Sequence, residues 1–367
     1  MKKMLFAINV GWYYDLHWKA RVHSDMTDTF DVHLCMSKPN GHQEENMNPI
    51  NLSRSSIGFY NNLRTFIQVI SVVRKVEPDV IHSVTIKPNI MFGIISLIKK
   101  IPIFITIPGM GSTFSNESFK NNLMSKVILK TYKTIGKNDK SVFIFENKTD
   151  MNMFIDSGVC KNNQAVTVPG SGVNIDEYNA LKVDTTPQPL KLLFAARLLE
   201  GKGLRELVRA TQNLKQRGVD VELTVAGIID DDSSEAIPLD VLESWNEQGK
   251  INWMGQINEG MKDVIASNDV IVLPTRYGEG LPRILIEANA CRRPVITTNI
   301  GGCKDFVING ESGILIPVCD PTSLEEAIVK LSNRELCARL GEYGRQHVED
   351  FYTDKHVIES YKNIYNR

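Results

Sequence analysis

Short apolar segments alternate with longer amphipathic segments along almost the whole chain of 367 residues. This alternation predicts parallel β-strands joined by helices, which is the pattern of an α/β fold. In the first half the predicted strands lie near residues 3–10, 30–36, 79–84, 102–107, 141–145 and 164–168. The helices predicted for this half cover residues 61–77, 88–100, 119–135 and 148–157.

The alternation stops at residues 169–189, where Gly, Pro and polar residues interrupt the periodic pattern. Such a break predicts a linker. A second series of strands follows near residues 191–196, 221–226, 251–254, 269–274, 294–298 and 313–317. The helices predicted for this half cover residues 203–217, 259–267, 281–292 and 322–332, and helical sequence continues from 334 to 367.

A chain of this length is too long for one ordinary hydrophobic core, so we predict two doubly wound, Rossmann-like domains that face each other across a cleft. Open α/β sheets bind ligands at the carboxyl ends of their strands, which predicts that loops of both domains line the cleft. The predicted parts are an N-terminal domain at 1–175, a linker at 176–190, a C-terminal domain at 191–348 and a helix at 349–367 that packs back on the N-terminal domain.

The composition is ordinary for a globular protein, with 42% hydrophobic and 23% charged residues. The formal net charge of −1 gives no general attraction for nucleic acid, so no nucleic-acid partner is expected. Six cysteines without paired spacing favour a reducing cytoplasm over disulfides or a zinc site. The short apolar run of residues 1–10 predicts a first strand and not a signal peptide, and no apolar run is long enough to predict a transmembrane helix.

The segment from Tyr277 to Glu287 places a Gly-rich turn between a predicted buried strand and a predicted helix. Gly278 and Gly280 allow a ligand to approach the backbone closely, and Pro282 suits a first helical turn. The free N–H groups and positive dipole end of such a helix start attract anions. The segment therefore predicts a site for a diphosphate.

Two carboxylates flank this helix start. Glu279 lies in the loop, and Glu287 lies roughly 7 Å along the helix at about 1.5 Å per residue. From there Glu287 is placed to accept hydrogen bonds from ribose hydroxyls, while Glu279 faces the group beyond the phosphates. The spacing thus predicts a nucleotide that carries a hydroxylated group. The alternative is a helix-start carboxylate followed by a solvated glutamate, which has no binding role.

This arrangement resembles the Glu-x7-Glu signature of the family 4 retaining glycosyltransferases, which have the two-domain GT-B fold. The resemblance is strong over residues 190–330. It implies that Glu287 holds the ribose of a nucleotide-sugar and that Glu279 orients the donor sugar. It also implies that the backbone amides of Gly280 and Leu281 help to hold the diphosphate.

Arg197 and Lys202 lie in a second segment of this kind, at the end of a predicted strand and the start of a helix. They resemble the Arg…Lys-Gly pair of the same family, which implies two fixed cations on the donor diphosphate in place of a metal ion. Fixed cations stabilise the charge that builds on a leaving phosphate, because they favour the transition state over the ground state. We therefore predict Glu279, Arg197 and Lys202 as catalytic residues. A solvated loop with two surface cations is the alternative.

Further donor-binding residues are implied by the same resemblance. The segment 171–178 resembles an interdomain segment of the family, in which Gly172 permits close approach of the donor. The segment 253–258 resembles a strand end that flanks the nucleotide base and includes Gln256. Gly11, after the first strand, is assigned to donor binding as well.

Two segments of the first half resemble a narrower group, the bacterial transferases that extend undecaprenyl-diphosphate-linked sugars, often with N-acetylgalactosamine. These segments are residues 12–18 and 78–88. The resemblance makes the first domain the acceptor side, with His17, His82 and Lys87 as candidate contacts to the acceptor sugar or phosphate. A structural role is the alternative for each.

Six lysines between residues 120 and 140 share their stretch with apolar residues, and no acidic residue precedes Asp139. Lys126, Lys130 and Lys133 fall on one helical face. A basic amphipathic helix at 119–140 predicts contact with an anionic membrane surface. The alternative is a packed helix whose lysine face is only solvated.

A run of aspartates and a group of cysteines could be mistaken for metal or redox sites, and we predict neither. Residues 230–232 form an Asp-Asp-Asp run in a polar loop, and we predict a surface turn without a metal. Cys291, Cys303 and Cys319 lack metal-ligand spacing, and we predict buried, small apolar side chains.

The sequence as a whole predicts a retaining GT-B glycosyltransferase without a cofactor. Its donor is predicted to be a UDP-sugar and its acceptor an undecaprenyl-diphosphate-linked glycan, as in O-antigen or capsule synthesis. We expect a cytoplasmic protein that lies on the inner face of the bacterial plasma membrane. The alternatives are a GT-B UDP-sugar epimerase, a Rossmann dehydrogenase and a non-catalytic nucleotide-sugar-binding protein. The dehydrogenase is disfavoured because residues 9–14 lack the Gly-x-Gly-x-x-Gly pattern.

Overall fold

The computed structural model describes residues 1–9, 11–37, 46–52, 59–110, 123–178, 184, 189–230 and 233–366. The chain divides by its internal contacts into two compact units. Unit 1 comprises Met1–Val168 and Ile358–Arg367, and unit 2 comprises Pro169–Val357. The domain and linker boundaries predicted at residues 175 and 190 stay predictions.

Unit 1 is built on a parallel sheet of short apolar strands. These strands are β1 (Lys2–Ile8), β2 (Phe30–Met36), β3 (Met47–Pro49), β4 (Val80–Val84), β5 (Ile103–Ile107), β6 (Ser141–Phe145) and β7 (Ala165–Thr167). Their order is β3-β2-β1-β4-β5-β6-β7, and every pairing is parallel. Both faces of such a sheet are covered, which is why strands such as β4 are buried along their whole length.

Helices cover the two faces of this sheet. They are α1 (Gly11–His17), α2 (Lys19–Arg21), α3 (Thr27–Thr29), α4 (Phe59–Val76), α5 (Ile86–Lys99), α6 (Leu123–Ile135) and α7 (Lys148–Asp156), with a π-helical turn at Val22–Met26. Helices α4 to α7 share one hydrophobic core with the sheet, to which they contribute Val73, Phe92, Tyr132 and Phe154. Trp18 contacts Phe6 of β1. Successive residues of a strand point to opposite faces of the sheet, and Phe6 points away from the core that α4 to α7 share. Trp18 therefore packs on the opposite face of the sheet.

Unit 2 repeats the architecture with a smaller parallel sheet. Its strands are β8 (Leu190–Ala195), β9 (Val221–Ala226), β10 (Asn252–Trp253), β11 (Val270–Leu273), β12 (Val295–Thr298) and β13 (Gly313–Ile316), in the order β10-β9-β8-β11-β12-β13. Its helices are α8 (Leu204–Gln216), α9 (Leu239–Glu247), α10 (Met261–Ala266), α11 (Arg283–Ala290), α12 (Gly301–Phe306), α13 (Pro321–Leu331) and α14 (Arg334–Phe351). The last helix, α15 (Asp354–Tyr365), begins in unit 2 and ends in unit 1.

The predicted α/β class with two Rossmann-like sheets is confirmed. Most predicted strands and helices end within two residues of the observed ones, except the helix predicted from residue 119, whose first four residues lie outside the described part. The helical segment from α1 to α3 and the helices α9 and α12 were not predicted. In the first of these, Tyr14, Trp18, Val22 and Met26 are buried at a constant spacing of four residues. A spacing of four residues is longer than the usual α-helical period, which agrees with the π-helical turn in this segment.

Each sheet has one point at which the strand order reverses direction. It lies between β1 and β4 in unit 1 and between β8 and β11 in unit 2. Loops leave the carboxyl ends of both strands there and diverge, which opens a crevice where doubly wound sheets bind ligands. Arg197 follows β8, and Glu279 lies in the loop after β11. Arg197 and Glu279 therefore lie at the switch point of unit 2.

Candidate active site

Two glycines allow the loop after β8 to pack against the loop after β11. A Cβ at Gly203, whose φ is +83°, would lie 2.2 Å from the carbonyl oxygen of Pro274. A Cβ at Gly201 would lie 1.9 Å from Cε1 of Tyr277. Neither position has room for a side chain. The close packing carries Lys202, at the end of a 3-10 turn, towards Glu279.

Lys202 and Glu279 form an ion pair in the interior of this loop pair. The Nζ of Lys202 donates to Oε1 of Glu279, and Thr275 Oγ1 donates to the same oxygen at 3.1 Å. The Lys202 ammonium also lies 5.6 Å from the centroid of the Tyr277 ring, in cation–π range. Lys202 is buried, at 8% exposure, so a carboxylate partner offsets the cost of removing the charge from water. Two residues 77 positions apart in the sequence are thus brought into contact.

Arg197 has a different carboxylate partner, Asp230. Its Nη1 donates to Asp230 Oδ2 at 2.7 Å, and the Asp230 side chain is only 17% exposed. This corrects the prediction of a surface turn for Asp230, because the loop after β9 folds back on the loop after β8. Asp231 and Asp232 lie outside the described residues. No group of three or more His, Cys, Asp or Glu side chains suited to a metal ion occurs in the described part of the chain.

Glu287 lies on α11 and is held by two donors that share one oxygen. The hydroxyl of Tyr178 and Nε of Arg283 both donate to Oε1 of Glu287 at 2.7 Å. Burial, together with the negative charge of Glu287, raises the pKa of Tyr178 well above its ordinary value, so the hydroxyl stays a donor. Glu287 itself is 7% exposed.

The sequence interpretation had assigned a role to neither Tyr178 nor Arg283. Arg283 precedes Glu287 by four residues, and this helical spacing was a signal that could have found it. Tyr178 lies 109 residues away from Glu287, and no local pattern connects the two.

The Gly280–Leu281 turn packs against the start of α12. The N–H of Gly302 donates to the carbonyl oxygen of Glu279 at 2.9 Å, and a Cβ at Gly302 would lie 1.4 Å from the carbonyl oxygen of Gly280. Leu281 is buried and lies over Gly170, where a Cβ would come within 2.8 Å of its Cδ2. Helix α11 begins at Arg283, two residues later than predicted, because Pro282 is extended and precedes the first helical turn.

The remaining donor candidates are placed as follows. Gly172 has φ +66°, and a Cβ there would lie 3.0 Å from the backbone of Asp354, so packing against α15 already accounts for a glycine. Gln256 is exposed after β10, and the preceding Gly255 accepts a hydrogen bond from Gly227 N–H at 2.8 Å. Gly11 is the first residue of α1 in unit 1. Donor contacts by these three residues stay predictions.

His82 of unit 1 is fully buried, which corrects its prediction as an acceptor contact. Its Nδ1 is hydrogen-bonded to the hydroxyl of Tyr365 at 2.7 Å, and its Nε2 to Thr106 Oγ1 at 2.8 Å. Burial, and to a smaller extent the nearby charge of Arg21, lower the pKa of His82 to about 3. The ring is therefore neutral, and both nitrogens are used within the core.

The other two acceptor candidates lie closer to solvent. His17 ends α1 with its ring 4.4 Å from the ring of Tyr13, and Lys87 lies in the first turn of α5, where partial burial lowers its pKa. Between β4 and α5, Thr85 adopts φ +75° and donates from Oγ1 to Asn9 Oδ1 at 2.8 Å. A β-branched residue in this region is strained, which marks the switch point of unit 1.

Comparison with protein families decides the class of this protein. Residues 181–347 match the family described as "Glycosyl transferases group 1", and residues 3–141 match "Glycosyl transferase 4-like". Together the two matches cover most of both units. The chain belongs to the family 4 type of glycosyltransferases.

Similar transferases occur in bacterial glycan synthesis. The chain is 26% identical over 329 residues to N,N'-diacetylbacillosaminyl-diphospho-undecaprenol alpha-1,3-N-acetylgalactosaminyltransferase of Campylobacter jejuni, covering 86% of this chain and 84% of that protein. It is 26% identical over 330 residues to the capsular polysaccharide biosynthesis glycosyltransferase CapM of Staphylococcus aureus, covering 85% and 83% of the two chains.

Solved structures share the GT-B fold of this transferase. Sucrose-phosphate synthase from Thermosynechococcus elongatus superposes with a TM-score of 0.81 at 18% identity, covering 100% of this chain and 98% of that one. Anabaena HepE, in complex with UDP and glucose, superposes with a TM-score of 0.79 at 17% identity over 100% of both chains. The predicted fold and the predicted enzyme class are confirmed.

The transferase site of unit 2 combines two cations, Arg197 and Lys202, with two carboxylates, Glu279 and Glu287, and these groups are partly shielded from water. Lys202 is buried, the Glu279 side chain is 16% exposed, and the Arg197 side chain is 36% exposed. Charges in such a setting interact more strongly than in water, because few water molecules screen them. The arrangement can hold a diphosphate at the cations and orient polyhydroxyl groups at the carboxylates.

Proposed function

We propose that this glycosyltransferase uses a nucleotide-diphosphate-sugar, with UDP as the nucleotide, and binds it at the switch point of unit 2. The observation that carries the proposal is the convergence of Arg197, Lys202 and Glu279 at the carboxyl ends of β8 and β11. Two fixed cations match the two phosphates of such a donor. The HepE structures, which share the fold, contain UDP, and this supports the choice of nucleotide.

Arg197 and Lys202 stabilise the leaving diphosphate in this proposal. When the bond between the sugar and the diphosphate breaks, negative charge grows on the phosphate oxygens, and fixed cations lower the energy of that state. In the structure Asp230 and Glu279 act as counterions to these cations. The donor diphosphate takes over this role, and Glu279 is released to orient the donor sugar. No protein nucleophile is assigned, and we propose that transfer retains the anomeric configuration.

Glu287 binds the ribose hydroxyls in this proposal. Tyr178 and Arg283 occupy Oε1, and we assign the ribose to Oε2. Holding one oxygen fixes the other, so the carboxylate is oriented before the donor arrives. Pre-orientation reduces the entropy that binding costs.

A polyprenyl-diphosphate-linked glycan is the proposed acceptor. The Campylobacter jejuni relative, whose name specifies an undecaprenol-diphosphate acceptor, aligns with 86% of this chain and supports this assignment. It also favours N-acetylgalactosamine as the transferred sugar, and the Staphylococcus aureus relative favours a role in capsule or O-antigen synthesis. His17 and Lys87 remain proposed acceptor contacts.

Such an acceptor places the enzyme at the inner face of the plasma membrane, and we propose peripheral attachment there. None of the described helices is long and apolar enough to cross a membrane. The basic segment at 119–140 is the proposed contact; its helix α6 ends at Ile135, and its residues before Leu123 lie outside the described part of the chain.

A thermal-shift panel tests the donor proposal. UDP, GDP, UDP-N-acetylgalactosamine, UDP-N-acetylglucosamine, UDP-galactose and NAD are each added in EDTA. At a hundredfold excess over Kd a ligand that binds only the folded state stabilises it by about 2.7 kcal/mol. We expect stabilisation by UDP and by one UDP-sugar. Stabilisation by GDP alone would mean that the donor nucleotide is GDP and not UDP. No response to any nucleotide would contradict the donor site.

Two glutamate variants separate the proposed roles. Glu287→Ala is expected to weaken UDP binding about tenfold or more, since it removes the ribose acceptor and leaves Arg283 without its partner. Glu279→Ala is expected to lower kcat at least about a hundredfold with UDP affinity changed less than threefold. Calorimetric titration with UDP and release of UDP with a polyprenyl-linked acceptor measure the two effects. Wild-type kinetics in both variants would contradict the assignment.

A further inference from the structure

Three neighbouring helices of unit 1 contain no acidic residue. Helices α4, α5 and α6 together span 45 residues with eight lysines and arginines. The whole chain has 43 acidic residues in 367, so a stretch of this length carries about five on average. The remainder of the chain has nine more acidic than basic residues. Positive charge is therefore concentrated on these helices.

The three helices form one layer on the same side of the sheet. Helix α5 packs against both α4 and α6, and all three enter the same hydrophobic core. The α5–α6 contact is close, since a Cβ at Gly93 would lie 2.5 Å from Cδ1 of Ile135. At about 10 Å between neighbouring axes, α4 and α6 lie roughly 20 Å apart.

Helix α4 exposes an apolar stripe in its first half. Tyr60, Leu63 and Ile67 are 85%, 47% and 59% exposed and follow one another at spacings of three and four residues. That spacing places them on one helical face. Arg64 is exposed beside Leu63. The sequence analysis had not identified this stripe.

Helix α6 exposes a second apolar group in its first half. Leu123, Met124 and Val127 are 77%, 52% and 51% exposed, and the exposed Lys126 and Lys130 lie among and beside them. Helices that follow parallel strands run antiparallel to them, so the first halves of α4 and α6 lie near the same carboxyl edge of the sheet. Including Ile98, seven of the fifteen large apolar side chains that are exposed in the described residues belong to α4, α5 and α6.

We propose that α4, α5 and α6 together form a docking surface for an anionic phospholipid bilayer. Two apolar groups roughly 20 Å apart, each flanked by cations, suit a flat and extended partner. Such a surface combines apolar insertion with attraction to anionic headgroups, the two contributions that hold proteins at a membrane interface. The surface extends the membrane contact proposed above from one helix to three. Its biological purpose rests on that proposed function.

Vesicle co-sedimentation of the full chain without nucleotide or acceptor tests the surface. Vesicles contain phosphatidylcholine alone or phosphatidylcholine with about one third phosphatidylglycerol, at low and at high salt. We expect binding to the anionic vesicles that falls steeply at high salt, because exposed charges are screened. Equal binding to both vesicle types, or no binding to either, would overturn the proposal.

Two pairs of double variants locate the contact. Lys126→Glu/Lys130→Glu and Leu63→Ser/Ile67→Ser are each expected to reduce the partition coefficient about tenfold. The matched controls are Lys215→Glu/Lys330→Glu and Leu239→Ser/Val329→Ser, which make the same changes at exposed positions of unit 2. The controls are expected to bind vesicles as the wild type does.

The Leu63→Ser/Ile67→Ser variant of α4 tests whether the membrane contact extends beyond α6. Loss of binding only in the α6 variant would overturn the three-helix surface, and equal loss in the unit 2 controls would show a non-specific charge effect and overturn it too. Thermal stabilisation by UDP is measured on every variant. An unchanged melting temperature without ligand shows an intact fold, and retained stabilisation by UDP keeps failure of the membrane surface distinct from failure of the donor site.

Discussion

At the scale of single residues, the orientation of Glu287 depends on two donors that bind one oxygen. Tyr178 and Arg283 both hydrogen-bond to Oε1 in a buried setting, where losing a partner costs more than at the surface. Tyr178 contacts the carboxylate and is not itself among the predicted ligands of the donor. Its proposed role is therefore to position Glu287.

Changing Tyr178 to Phe removes the hydroxyl with little change in volume. We expect the Kd for UDP to rise about tenfold, because a lost hydrogen bond to a charged group is worth on the order of 1.5 kcal/mol or more. The value of kcat at saturating donor is expected to stay within about twofold. Calorimetric titration and steady-state kinetics measure the two quantities. Tyr343→Phe, at an exposed tyrosine of the same unit, is the control.

The buried His82 makes stability depend on pH. Its pKa is about 3 in the folded protein, against 6.5 when unperturbed, because burial disfavours the charged ring. Because this pKa is lower in the folded protein, His82 of the unfolded chain takes up a proton at a higher pH than His82 of the folded protein. The contribution of His82 is complete above about pH 6.5 and is lost as the pH falls from there towards 3.

Urea unfolding at pH 7 and pH 5 tests this linkage on the wild type and His82→Gln. We expect the difference in free energy of unfolding between the two proteins to shrink by about 2 kcal/mol at the lower pH. The comparison cancels the carboxylates that titrate in both proteins. A difference that is the same at both pH values would show that His82 takes up a proton without loss of stability.

At the scale of elements, the loop after β11 rests on the first residues of α12. Gly302 donates its N–H to the carbonyl oxygen of Glu279 and leaves no space beside the carbonyl of Gly280. This contact sets the path of the loop that carries Glu279. A short helix that contains none of the predicted site residues therefore supports the candidate site.

Gly302→Ala tests this support. The added methyl group would lie 1.4 Å from the carbonyl oxygen of Gly280, so α12 or the loop must shift. We expect a loss of about 1–3 kcal/mol of stability, the usual cost of overpacking, and weaker UDP binding. Gly278→Ala is the matched control for stability, because a Cβ there meets nothing within 4 Å. Melting temperatures of both variants equal to that of the wild type would show that the contact is not needed.

At the scale of the whole molecule, unit 1 is formed by two separate parts of the chain. Residues 1–168 are joined by Ile358–Arg367. In this last part Tyr361 is buried against Trp18, at 4% exposure, and Tyr365 is half-buried against Phe104. The end of the chain therefore completes the core on that side of the first sheet.

Removing residues 358–367 tests this dependence. We expect unit 1 to lose at least about 3–5 kcal/mol, the cost of deleting one large buried aromatic side chain. Unit 2 keeps its contiguous residues 169–357 and is expected to retain stabilisation by UDP. Scanning calorimetry with and without UDP measures both. Removal of residues 366–367 alone is the control, and an unchanged profile in the longer truncation would contradict the prediction.

Local sequence determined most of the secondary structure and the place of the donor loops. The period of the apolar residues predicted the α/β class and most strand and helix bounds within two residues. Gly, Pro and charged residues at strand ends identified the segments that carry Arg197, Lys202, Glu279 and Glu287. These signals lie within a few residues of one another, so a linear pattern retains them.

Burial of particular side chains was less predictable. Cys319 was predicted to be buried, whereas it is exposed in a turn with φ +57° before α13. His82 was predicted as a candidate acceptor contact with a structural role as the alternative, whereas it is enclosed by aromatic side chains of β1, the segment after α1 and the last helix. Exposure depends on what other elements bring to a position, and the neighbouring sequence does not contain that information.

The sequence by itself determined two series of strands and helices and the chemical types of residue at their switch points. Only the tertiary structure decided which side chains become partners. Asp230 lies 33 residues from Arg197, Tyr178 lies 109 residues from Glu287, and Tyr365 lies 283 residues from His82. Such pairs meet only after strand order and helix packing are set, because the contacts depend on the whole sheet and not on the spacing along the chain.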